Sequence, residues 1–140
     1  MVRLGASKVI LACRNVEKGK AAAKDIQAMT SCSSDTLQVW HLYMSSYASV
    51  QAFSDKVKAE LPRLDVLIGN ACLATDKFRM TEDSEEMITT KVVSISLLAF
   101  LLHPKLRETA VKNDTQTHFI MTTSELYEVA KFKKRKASAG

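Results

Sequence analysis

The sequence predicts an α/β domain, and two observations carry that reading. Short apolar runs that suit strands covered on both faces alternate with longer segments whose apolar residues recur at helical spacing, the pattern of βαβ units with right-handed crossovers and a parallel sheet. The composition agrees: 140 residues, 46% of them hydrophobic and 25% charged, suffice for one soluble domain with a core.

Lys8–Arg14 is the first apolar run and reads as a strand, followed by a helix over Val16–Met29 with Ala22, Ile26 and Met29 at helical spacing. A Ser-rich loop at Thr30–Asp35 leads into a second strand, Leu37–Met44. Ser46 is placed to cap a helix running to Leu61, whose inward face would be Val50, Phe53, Val57 and Leu61, and Pro62 stops it. A third strand falls at Asp65–Asn70 and a fourth at Thr117–Thr122. Between them runs a long helix from about Glu82 to Lys112, with Thr81 as its cap, a nearly all-apolar middle at Leu97–Leu102, and Pro104 as a kink or break. Its apolar stripe is wider than one sheet face covers, so part of it should face solvent in a monomer.

The net charge of +5 is local: Lys131, Lys133, Lys134, Arg135 and Lys136 supply all of it, and the body is neutral. Residues 1–130 therefore read as the domain and 131–140 as a basic flexible tail, a solvated end in preference to a nucleic-acid contact. Cys13, Cys32 and Cys72 are odd in number and lack paired spacing, and His41, His103 and His118 have no ligand-like arrangement. The expectation is free thiols in a cytoplasmic setting and no metal. Val92–Leu102 is interrupted by Ser94 and Ser96 and is too short to span a bilayer, and no signal peptide is visible, so no membrane is expected.

Several segments together justify a family resemblance. Arg3-Leu4-Gly5-Ala6, Ala12-Cys13-Arg14-Asn15 with Glu17-Lys18-Gly19, Leu64–Cys72, Thr90-Lys91-Val92 and Ile120–Glu125 follow in the order found in the short-chain dehydrogenase/reductase family, and the chain resembles that family over nearly all its length. The resemblance implies an incomplete Rossmann-like parallel sheet of about four strands flanked by helices, lacking the first strand and glycine-rich turn. The four glycines, Gly5, Gly19, Gly69 and Gly140, form no such turn.

It also implies carbonyl or alcohol oxidoreduction of a small-molecule substrate with NAD(H) or NADP(H). The cofactor-binding residues carried over are Arg14, Asn15, Asn70 and Ala71, with Ser124 as the catalytic serine. Arg14 follows the strand where a guanidinium pairs with a ribose 2′-phosphate, which makes NADP the implied cofactor. Departures are plain: Gly69 and Cys72 replace an Asn and a Gly of the cofactor loop, Tyr43 stands at an Asp position, and Lys91 replaces the active-site Asn. Tyr127 and Lys131 match a Tyr-x-x-x-Lys pair in spacing alone, since Tyr127 lies three residues past Ser124 and not on a separate later helix. The chain is thus expected to begin after the glycine-rich turn and stop before the catalytic helix. Two functions follow: a fragment or degenerate member of the NADP-linked family, inactive alone, or a non-enzymatic module binding a related full-length subunit as a homo- or hetero-oligomer.

Overall fold

The structure, a computed structural model, describes residues 1–73, 75 and 77–123. Val2–Leu4 form a short 3-10 turn closed by Gly5, whose φ of 83° lets its N–H reach the Val2 carbonyl. Strand β1 (Val9–Cys13) then feeds helix α1 (Val16–Thr30). Asn15 caps that helix, its side-chain oxygen accepting from the Lys18 N–H at 2.9 Å, with Glu17 favourably placed in the first turn. The inward face of α1 is Gly19 and Ala23, whereas Ala22 and Met29 face solvent, which corrects the face read from spacing. The reason is close approach: a Cβ on Gly19 would lie 2.5 Å from Cys13 Sγ and 2.6 Å from Val39 Cγ1, so helix and strands touch where the residue is smallest.

Strand β2 (Leu37–His41) pairs parallel to β1, with Val9 opposite Leu37 and Cys13 opposite His41. Ser46 caps α2 (Tyr47–Glu60) as expected, and Val50, Phe53, Val57 and Leu61 are all buried. The Phe53 ring meets Trp40 of β2 edge-on at 6.0 Å. Strand β3 (Val66–Gly69) pairs parallel to β6 (His118–Met121). The four anticipated strands are thus present and parallel within each pair.

Between β3 and β6 lies an antiparallel pair of two-residue strands, β4 (Met80–Thr81) and β5 (Ser84–Glu85), which turns at Glu82 with φ 52°. Strands so short carry no periodic signal. The long helix begins after them as α3 (Glu86–Ile88), passes through a π-helical turn at Thr89–Val93 and continues as α4 (Ser94–Asn113). Its cap is Glu85, whose carboxylate accepts from the N–H groups of Met87 and Ile88; Thr81 belongs to β4 instead. Pro104 sits on the exposed side of α4 and does not end the helix, because the carbonyl it leaves unpartnered can turn to water.

The core joins α2 and α4. Trp40, Leu42, Val50, Phe53, Val57 and Leu67 meet Ile95, Leu98, Leu102 and Leu106, with Leu97 and Leu101 half-buried at its margin. The long helix, Glu86–Asn113, contains an 18-residue stretch of mean hydropathy 1.5, long and apolar enough to cross a membrane, but Leu98, Leu102 and Leu106 place it in the core of this domain. Its outer face carries Ile88, Val92, Phe100 and Val111, all exposed.

The sheet is divided. β1–β2 and β3–β6 are separate two-stranded sheets, and among the described residues no strand lies between β1 and β3. Among the described residues each of those two strands is paired along one edge and unpaired along the other.

Candidate cofactor site

The residues singled out from the sequence follow the carboxyl ends of the parallel strands, where open α/β sheets bind ligands. Arg14 and Asn15 come after β1, Tyr43 after β2, Asn70 and Ala71 after β3, and Thr122 after β6. Ser124, Tyr127 and the basic tail lie outside the described residues.

Arg14 is exposed, and its guanidinium lies over the Tyr43 ring at 5.9 Å from the centroid. Among the described residues it makes no ion pair. Asn15 is exposed too, but its side-chain oxygen is already engaged in capping α1, leaving its amide N–H groups for any ligand. Asn70 is likewise committed on one side, since its Oδ1 accepts from Thr122 Oγ1 at 2.9 Å across the β3–β6 pair. Ala71 is exposed and offers only backbone. Gly69 earns its place by packing: a Cβ there would sit 3.1 Å from Ile95 Cγ2 on α4.

Tyr43 leads to the main feature that sequence reasoning missed. Its hydroxyl donates to Glu86 Oε1 at 3.5 Å, and Ser45 Oγ donates to the same oxygen at 3.4 Å. Arg79 grips the Glu86 carboxylate with two bonds, Nε to Oε2 at 3.0 Å and Nη2 to Oε1 at 2.6 Å. Glu86 is 5% exposed, and these donors offset its loss of water. The Arg79 hydrogen bonds hold its carboxyl below the usual carboxylate range against the opposing effect of burial, with Arg79's charge, Ser45 and Tyr43 adding to the lowering. Ser45 also meets Thr90 Oγ1 at 2.8 Å, so the network ends on the π-helical turn that contains Lys91. In the sequence Glu86 is one of four acids between Glu82 and Glu86, and nothing local marks it as the buried one.

The arrangement can hold an anion at Arg14 beside a planar ring. No group of three or more His, Cys, Asp or Glu residues that could hold a metal ion occurs among the described residues. An open cleft of about 390 Å³ lies elsewhere, beside the β4–β5 hairpin, and is lined by Thr75, Lys77, Phe78, Glu85, Met87 and Ile88, without Arg14, Asn15, Tyr43, Asn70 or Ala71.

Known proteins resemble the chain in the same terms. A family model described as short chain dehydrogenase matches residues 1–133. The chain is 45% identical over 139 residues to the short chain dehydrogenase/reductase dmxR8 of Cryptosporiopsis sp., covering 99% of this chain and 43% of that protein. It is 34% identical to the short chain dehydrogenase atnD of Emericella nidulans, over 98% of this chain and 44% of that one. The chain therefore spans less than half the length of these curated relatives. Among solved structures, an alcohol dehydrogenase from Thermococcus sibiricus complexed with 5-hydroxy-NADP superposes with TM-score 0.66 at 22% identity, covering 89% of this chain and 52% of that one. An NADH-dependent reductase complexed with NAD gives TM-score 0.71 at 17% identity, covering 91% and 52%. At those identities the likeness shows the fold.

Proposed function

The chain belongs to the short-chain dehydrogenase family, and on that premise we propose that it carries the adenosine-recognising part of an NADP-linked oxidoreductase of carbonyls or alcohols, without being competent for turnover by itself. The observation that carries this reading is Arg14: a guanidinium with no ion pair among the described residues, at the carboxyl end of β1 and over the Tyr43 ring. A carboxylate after that strand would favour the free 2′-hydroxyl of NAD, whereas an arginine favours the 2′-phosphate of NADP. Asn15, Asn70 and Ala71 are the proposed backbone and amide contacts to the rest of the nucleoside, and Ser124 the serine that holds the substrate oxygen. A cytoplasmic setting and a small-molecule substrate accompany the reading.

Two features of the sequence support the proposed lack of turnover. The chain's four glycines form no turn that lets backbone N–H groups close on a pyrophosphate at a helix N-terminus, and Lys91 stands where the family has its Asn. A lysine there donates but does not accept, so it replaces only half of the amide's hydrogen bonding.

Protein-observed NMR at millimolar nucleotide tests the reading. Adenosine 2′-monophosphate should shift the amides around Arg14 more strongly than adenosine 5′-monophosphate does; equal or absent shifts for the two would overturn the assignment to NADP. Loss of NADPH absorbance with a panel of ketones and quinones should not exceed the protein-free blank.

A further inference from the structure

We infer that Tyr43 positions Arg14 for a 2′-phosphorylated nucleotide, holding the guanidinium in place without consuming its charge; this rests on the NADP reading above. An exposed arginine has a long side chain with many rotamers, and ordering it on binding costs entropy. A carboxylate neighbour would order it by forming an ion pair, which then competes with the incoming phosphate. An aromatic face attracts the cation while leaving its N–H edges free. Arg14 over the Tyr43 ring has that arrangement.

Such a platform works only if the ring is itself fixed, and Tyr43 is fixed at both ends. Its backbone N–H donates to Ser49 Oγ at 2.9 Å, at the start of α2, and its hydroxyl reaches Glu86 at 3.5 Å. The hydroxyl's partner, Glu86, is a carboxylate that Arg79 and Ser45 already occupy. The network thus anchors the ring while keeping a negative charge off Arg14. Tyr43 is a positioning residue, since the phosphate would meet Arg14.

The test compares adenosine 2′-monophosphate with adenosine 5′-monophosphate, both titrated into the full chain by NMR. Tyr43→Leu should cut the preference for the 2′-phosphate by about threefold, the size of an exposed cation–π contact. Tyr43→Phe, which keeps the aromatic face but loses the bond to Glu86, should retain part of it and fall between the unmutated chain and Tyr43→Leu. A preference unchanged in Tyr43→Leu would overturn the role of Tyr43 and leave the NADP reading standing; no preference in the unmutated chain would overturn both. A measurement on the unmutated chain covers the case in which Tyr43→Leu does not fold. The Arg14 Hδ and Hε resonances should be displaced upfield by the Tyr43 ring, and ordinary solvent-exposed shifts there would refute the stacking.

Discussion

Single residues divide into those whose role is written in their immediate neighbours and those whose role depends on distant contacts. Ser46 before an amphipathic run and Pro62 after Leu61 act locally, and the sequence reads them directly. Glu86 acts through Arg79, Ser45 and Tyr43, the last two more than forty positions away, so no window of sequence could single it out. Because its carboxyl is held below the usual range, its stabilising contribution is fully present above the unfolded value of about 4.3 and is lost as pH falls through the lowered folded value. The melting temperature of Glu86→Gln should therefore lie below that of the unmutated chain by a constant margin from pH 7 to pH 5. The margin should close as the solution is acidified further, and a margin independent of pH would show that the charge is not what stabilises. Gly19 supplies a second residue-scale prediction. An alanine there must displace Val39 or Cys13, so Gly19→Ala should cost about 1–3 kcal/mol in urea denaturation.

At the scale of elements, strands and helices came from period and punctuation, and the errors came from geometry that a periodic pattern does not encode. The buried face of α1 is set by the smallest residue, not the most apolar, which is why Met29 faces water. The β4–β5 hairpin is too short for alternation, and the π-helical turn adds a residue that shifts the phase of the long helix relative to any single heptad-like count. Beyond that turn the helix sorts cleanly into an inner and an outer face. Leu102 is fully buried and Phe100, two residues earlier, is 78% exposed. Leu102→Ala should destabilise by about 2–5 kcal/mol, whereas Phe100→Ser should change stability by less than about 0.5 kcal/mol. Equal effects would mean that the outer face is covered in solution. The expectation that this helix leaves apolar surface exposed holds for Phe100, while Leu97 and Leu101 are half-buried against the core.

For the whole molecule, the α/β class and parallel pairing were legible because alternating strands and helices admit few topologies. Among the described residues the sheet is divided into β1–β2 and β3–β6, and the residues proposed to contact a nucleoside follow the carboxyl ends of β1 and β3. Energetics decides what such a site achieves. One arginine contact to a charged group contributes about 1.5–3 kcal/mol, less than the about 4–15 kcal/mol that association costs, so on the proposed reading the Arg14 contact alone does not support micromolar binding. Positioned backbone donors and a helix dipole would have to supply the difference. Calorimetric titration of NADP into the chain measures this balance directly. The account predicts no saturable isotherm at micromolar ligand; a saturable isotherm in that range, abolished by Arg14→Ala, would contradict it by showing that this chain builds a pyrophosphate site without the glycine-rich turn.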